Sequence, residues 1–252
     1  MTKRRVVITG LGIVSPIGIG IAQAWDNLVN GVSGVGTITR FDAAPLSTRI
    51  AAEVKGFDPL QWMTPKEARR SDTFIHFGIA ATKMALDDAG FVIDGANAER
   101  TGVIVGSGIG GLPMIEENII AMGTKGPRRI SPFFVPGSII NMVAGLISIQ
   151  FGAKGPNVSM VSACTTSSHC VGEAGRLIEY GDADVMIAGG TEATICMSGM
   201  GGFCSLKALS ERNDDPATAS RPFDRDRDGF VLGEGSGILI LEDFEHARKR
   251  GA

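Results

Sequence analysis

The chain has little of what several function classes require. Only 6% of its 252 residues are aromatic, with one tyrosine and two tryptophans, and it carries three histidines and four cysteines. No run of eighteen apolar residues occurs, which excludes a helical membrane span. Basic charge is not in excess: 24 Lys and Arg against 27 Asp and Glu leave a net charge of -3, so no chain-wide positive field draws it to nucleic acid or an anionic membrane. Cys164, Cys170, Cys196 and Cys204 form no CxxC pair and match no zinc-ligand spacing. Neither a disulfide framework nor a structural metal is expected, and reduced thiols point to a cytoplasmic compartment.

Glycine is what the chain has in quantity, 35 residues dispersed through a 44% hydrophobic sequence. Dispersal excludes a collagen-like repeat, and small side chains suit helices lying close on a sheet. The N-terminal Lys3, Arg4 and Arg5 followed by VVITGLGIVSPIGIGIA and the Ala22-Gln23-Ala24 triplet imitates a signal peptide. Its glycines and Pro16 break the apolar run, and VVITG reads instead as a buried first strand ending in a turn.

Short β-branched runs alternate with helical patterns. Residues 5–9, 102–105, 158–162, 185–188 and 237–241 read as strands buried on both faces, the mark of a mostly parallel sheet covered by helices. Periodicity predicts helices over 21–29, 73–89, 114–122, 139–151 and 165–180, with Ser71 or Asp72 capping the second and Gly90 ending it. The longest irregular stretch is expected at 123–136, and EDFEHARKRGA reads as a short amphipathic tail helix. One α/β domain with αβα layers over residues 1–252 is the expected architecture.

The segment VSACTTSSHC concentrates the chemistry. A lone cysteine among small residues is ordinarily an inert buried thiol. Here a predicted strand runs into Cys164 and a predicted helix comes directly after it, so the thiol stands where unpaired N–H groups and the positive end of the dipole favour a thiolate. A sharp strand-to-helix turn also exposes the side chain and aims backbone donors at a substrate carbonyl, as covalent acyl transfer requires. His169 is not the expected base, because five helical residues carry it about 140° round the axis from Cys164. His76 in FIHFGIAATKMAL reads as a core or interface residue and His246 as part of a solvated tail, so no base for Cys164 is identifiable.

Two motifs tempt further. Gly106, Gly108 and Gly111 in VGSGIGG satisfy G-x-G-x-x-G, but no strand ending in an acidic ribose-binding residue comes after it, so NAD or FAD is disfavoured. Asp224, Asp226, Asp228 and Gly229 imitate the start of a calcium loop whose twelfth position falls on Gly235, with Glu234 one residue early. A solvated or ion-paired turn is the better reading, and no metal is expected. Lys66, Arg69 and Arg70 form one basic cluster, Lys125, Arg128 and Arg129 another, with Lys207 alone. They are either scattered solvated charge or a surface that steers an acidic or phosphate-bearing partner.

Taken together, these residues resemble a known family. GPNVSMVSACTTSSHCV is similar to the active-site signature of the β-ketoacyl-acyl carrier protein synthases, the thiolase-like condensing enzymes of fatty acid synthesis. VVITGLGIVSPIG, GSGIGG, RRISPFFVPGSIINMVAG, GDADVMIAGGTEA, GGFCSLKALSERND and SRPFDRDRDGFVLGEGSG resemble its other landmarks, the type II elongating members most closely. The resemblance implies the first half of a duplicated thiolase-like fold, with a mostly parallel, mixed five-stranded sheet. It implies an acyltransferase in which Cys164 accepts the acyl chain, with its own N–H as one oxyanion donor. Ile109 and Phe203 would line the acyl pocket, and Phe134 would lie near it at a dimer interface. Lys66, Arg69, Arg128, Arg129 and Lys207 would meet an acidic acyl carrier protein whose phosphopantetheine brings acyl and malonyl groups.

The implied reaction is a decarboxylative Claisen condensation by a cytoplasmic homodimer, with no organic cofactor. The family's second half supplies two histidines, a lysine, the other oxyanion donor and a gating phenylalanine. Those residues are not among these 252, so condensation by this chain alone is not expected. Competing readings are a non-catalytic partner subunit, which would lack the nucleophile, a cysteine hydrolase, and a thiolase-type acyltransferase using coenzyme A.

Overall fold

The structure is a computed structural model and describes residues 3–252. Its strands are β1 Val6–Ser15, β2 Gly18–Ile19, β3 Gly36–Thr37, β4 Ile50–Ala51, β5 Thr101–Gly106, β6 Asn157–Val158, β7 Val185–Glu192 and β8 Gly235–Asp243. Its helices are α1 Ile21–Val29, α2 Pro65–Ala68, α3 Thr73–Asp88, α4 Leu112–Lys125, α5 Phe134–Ser138, α6 Asn141–Phe151, α7 Thr166–Tyr180, α8 Met197–Ser205 and α9 Phe244–Arg250. The main sheet has the order β2-β1-β8-β7-β5-β6, while β3 and β4 pair apart. β5, β6 and β7 are parallel, and β8 runs against both β7 and β1. Four of the five expected strands therefore share one direction, and the two-residue β2 adds a sixth beside β1.

Side chains of the central strands alternate between two cores, as the pleat dictates. Val103, Val105, Val185, Ile187, Ile238 and Ile240 pack with Phe74 and Phe77 of α3 and with Val143 and Ile147 of α6. Ile104, Met186, Ala188 and Leu241 face the other way, onto Cys170, Ala174 and Ile178 of α7. Those three α7 residues recur at four-residue spacing, one stripe of a helix. The sheet thus carries α3 and α6 on one face and α7 on the other.

β1 departs from expectation. It continues past residue 9 through Gly10 and Gly12, because these glycines serve close approach rather than a turn. A Cβ at Gly12 would overlap the Ala81 carbonyl oxygen, and one at Gly10 that of Ala85, so α3 lies against bare backbone. Gly12→Ala is expected to destabilise the fold by about 3 kcal/mol, since main chain and not a flexible side chain stands in the way. A lowered urea midpoint at unchanged slope is the measurement. Burial on both faces holds for β5 and β7 but not for β6, nor for β1, where α7 barely reaches and Ile8 is 58% and Leu11 41% exposed.

Three other boundaries move. The strand expected at 158–162 shrinks to β6, and the Ser159 hydroxyl donates to the Val105 carbonyl where a ladder bond would otherwise continue. α4 runs on to Lys125 and α5 begins at Phe134, so 123–136 is not the longest irregular stretch. That stretch is 206–234, which holds the 3-10 turn Pro216–Thr218 and isolated bridges at Leu209, Phe230 and Gly233. Nor is α9 a solvated tail: Arg250 and His246 both reach the buried Glu242 carboxylate, which also accepts from the Thr9 hydroxyl. Burial alone would raise the Glu242 carboxyl, and these contacts together outweigh it and lower it.

Candidate active site

The chain passes from Ser162 through a single 3-10 turn, Ala163–Thr165, directly into α7. Cys164 is exposed on that turn, at the positive end of a fifteen-residue helix. Ala163 holds a left-handed φ of 53°, a conformation that costs a residue with a Cβ on the order of 1 kcal/mol. The Thr166 hydroxyl pins the turn, accepting from the Ser162 N–H at 2.8 Å and donating to the Ala163 carbonyl at 2.8 Å. His169 Nδ1 lies 2.7 Å from Ser162 Oγ, so this histidine is engaged with the turn. The Cys164 N–H donates to no backbone carbonyl among the described residues.

Burial separates the other thiols from this one. Cys170 and Cys196 are buried, and desolvation pushes both above the usual thiol range, while Cys204 is half-buried.

The glycine loop after β5 wraps a carboxylate. Glu192, the last residue of β7, accepts from the Ser107 hydroxyl at 2.9 Å, the Gly108 N–H at 2.8 Å and the Ile109 N–H at 3.1 Å. Ser107 Oγ in turn accepts from the Gly110 N–H at 2.9 Å. The apparent dinucleotide fingerprint is thus an anion nest occupied by the chain's own side chain. Burial raises the Glu192 carboxyl against the downward pull of these donors. A Cβ on Gly108 would stand 2.8 Å from Glu192 Oε2 and 3.4 Å from the Ala163 carbonyl oxygen, so the loop adjoins the Cys164 turn. Sequence reasoning missed Glu192. The available signal was one acid closing the apolar run VMIAGGTE opposite a glycine loop whose N–H groups needed acceptors.

Beside the turn lies a hollow of about 400 Å³ whose wall includes Ile109, Ile115, Ile139, Ile140, Ser159 and Val161. Ile109 and Val161 come from the two loops that flank Cys164, while Cys164 itself is off the wall. Asp72 braces this region by capping two helices. Its carboxylate accepts from the Phe74 N–H of α3 at 3.3 Å and from the Met114 N–H of α4 at 2.8 Å. Burial raises the Asp72 carboxyl to about 6. The folded chain therefore holds this proton more tightly than the unfolded one, so the group's contribution to stability is greatest at acid pH and declines as pH rises through about 4 to 6. Asp72→Asn is expected to remove that decline, worth on the order of 2–3 kcal/mol, in denaturant titrations taken across the same pH range.

Of the two residues expected to line the pocket, Ile109 lies on the hollow and Phe203 does not. Phe134 opens α5, half-buried, just ahead of the Ser138–Asn141 segment of the wall. Phe203 of α8 packs elsewhere, edge-on to Phe230 at 5.4 Å and into a satellite core with Ile195, Leu209 and Leu232. Lys66 on α2, Arg69 at its end, Arg128 and Arg129 on the turn Pro127–Arg129, and Lys207 after α8 are all exposed. None of the five forms an ion pair among the described residues. The Arg70 guanidinium sits over the Phe133 ring at 4.5 Å, so the two basic clusters belong to adjoining segments.

His76 is buried against the Ala68 carbonyl at 3.1 Å, and desolvation lowers its pKa. Three acids of the calcium-like segment have partners within the chain. Asp228 accepts from the Ser210 hydroxyl and the Glu211 N–H, Asp224 from the Asp226 N–H, and Glu234 pairs with Arg40 and accepts from the Val54 N–H.

Residues 3–247 match the family model described as Beta-ketoacyl synthase, N-terminal domain. The 3-oxoacyl-(acyl-carrier-protein) synthase 2 of Coxiella burnetii is 54% identical over 252 residues, which is 100% of this chain and 61% of that protein. A β-ketoacyl synthase from Burkholderia phymatum superposes with a TM-score of 0.89 at 34% identity, over 99% of this chain and 61% of that one. A type II PKS acyl-carrier protein in complex with its ketosynthase gives a TM-score of 0.82 at 32% identity, over 99% of this chain and 60% of that one. The chain spans about 61% of the length of the curated relatives it matches. Among the described residues, no helix is long and apolar enough to cross a membrane.

Proposed function

The chain belongs to the β-ketoacyl synthase family, and on that premise we propose that it carries the acyl-accepting site of a condensing enzyme in fatty acid chain elongation. One observation carries the reading: of four thiols, only Cys164 is exposed, and it stands on a pinned turn at the head of α7. Its thiolate attacks the carbonyl carbon of an acyl thioester on the phosphopantetheine of an acyl carrier protein. The Cys164 N–H donates to the oxyanion, the pantetheine sulfur leaves and takes up a proton, and the chain remains as a Cys164 thioester. In the second half-reaction a malonyl thioester loses carbon dioxide, and the resulting carbanion attacks that carbonyl, expelling Cys164 and lengthening the chain by two carbons.

The hollow beside Ile109 receives the apolar chain. The exposed basic residues Lys66, Arg69, Arg128, Arg129 and Lys207 suit an acidic carrier, and both the name of the Coxiella relative and the carrier-bound ketosynthase neighbour support one. By the same resemblance residues 1–252 form the first half of a thiolase-like fold, in a cytoplasmic homodimer with Phe134 at its interface. His76, His169 and His246 are engaged through one ring nitrogen with Ala68, Ser162 and Glu242 respectively, and the resemblance assigns decarboxylation to two histidines of the family's second half. The 252 residues are accordingly expected to take up an acyl group without forming a carbon–carbon bond.

The retained Cys164 argues against the non-catalytic partner reading. Carrier protein and coenzyme A are separated by charge reversal. Arg128→Glu with Arg129→Glu is expected to slow loading from acyl-carrier protein about tenfold at low salt, well beyond its effect on loading from acyl-coenzyme A. Equal slowing with both donors would favour the coenzyme A reading.

A further inference from the structure

We infer that Glu192 is a specificity-determining positioning residue, whose carboxylate fixes the 107–110 loop so that Ile109 stays on the hollow and Gly108 stays against the nucleophile turn. The inference rests on the reading that Cys164 holds an acyl chain housed beside Ile109. Glu192 has a rigid base: β7 is paired on both sides, with Gly106 opposite Gly190 on one edge and Glu192 opposite Gly235 on the other. The loop it grips lies beyond the ladder, and three successive residues, Ser107, Gly108 and Ile109, donate to this one side chain. Taking a carboxylate out of water is costly unless its contacts offset the loss. Here those contacts fall on the backbone that presents Ile109.

The division of bonds between the two oxygens makes the role testable. Oε2 takes both the Gly108 and the Ile109 N–H, whereas Oε1 takes only the Ser107 hydroxyl. A glutamine can place its carbonyl at the Oε2 position, keep both backbone bonds, and turn its amide toward Ser107 Oγ. An alanine leaves all three donors without an acceptor, and the loop is free to swing toward water.

The experiment tracks modification of Cys164 by mass spectrometry, comparing chloroacetamide with an N-dodecyl chloroacetamide, and reads the ratio of the long-chain to the short-chain rate. Glu192→Ala is expected to lower that ratio on the order of tenfold, with Glu192→Gln restoring most of it. A folded Glu192→Ala protein with the wild-type ratio overturns the inference, as does a Gln variant no better than Ala. Should Glu192→Ala fail to fold, Ser107→Ala decides, with an intermediate fall expected and an unchanged ratio contradicting the claim. A wild-type protein that shows no chain-length preference overturns instead the acyl-site reading beneath it.

Discussion

Replacing Cys164 with serine is expected to reduce acyl loading by at least about a thousandfold, because a hydroxyl without an adjacent base is a poor nucleophile beside a thiolate. Neither buried thiol can substitute. Cys170 lies in the α7 stripe against Ile104 and Met186, and Cys196 is buried with its thiol pushed up by desolvation. The variant should fold as the parent does, since an exposed sulfur contributes little packing. Single-turnover loading from an acyl thioester, with a thermal melt as the control for folding, gives the comparison. Retention of loading within tenfold would mean that the acceptor is elsewhere.

Thr166→Val is expected to slow loading on the order of a hundredfold, although the side chain is buried. Valine has nearly the same shape, so no cavity opens, but the Ser162 N–H and the Ala163 carbonyl both lose their partner. Those bonds hold Ala163 at its left-handed φ of 53°, and without them the turn relaxes and Cys164 shifts relative to the α7 N-terminus. The accompanying loss of stability should be about 1–3 kcal/mol. Thr166→Ser keeps the hydroxyl and should recover most of the rate, and Thr166→Val should remain slow under conditions where its far-UV spectrum and melt show it fully folded.

How far the sequence led depended on whether a feature was local. Residues 21–29 form α1 as periodicity predicted, Asp72 caps α3, and Cys164 precedes α7, because caps, periods and turn residues act over a few positions. The misreadings were non-local. Gly10 and Gly12 looked like turn residues until α3 was seen to need their missing side chains. The strand at 158–162 ended early because a serine hydroxyl bonded to a neighbouring strand. The tail helix looked solvated until Glu242, four residues before His246 and eight before Arg250, proved to be buried.

The site shows the same division. The motif residues pointed to the Cys164 turn, and Ile109 lies on the hollow beside it. Glu192 lies 83 residues from Ile109 along the chain, and no spacing rule links an acid to a glycine loop at that distance. Phe203 and Phe134 are not on the hollow wall within one chain. Asp72 was legible as the cap of α3 but not as that of α4, 42 residues from its second partner.

The most direct test of the account is the mass of the chain after incubation with a carrier protein bearing a defined acyl group. The account predicts a gain of one acyl mass, mapped to the peptide containing Cys164, released by hydroxylamine and absent from the serine variant. An unmodified chain, or an acyl group carried on Cys204 or any residue other than Cys164, would contradict it.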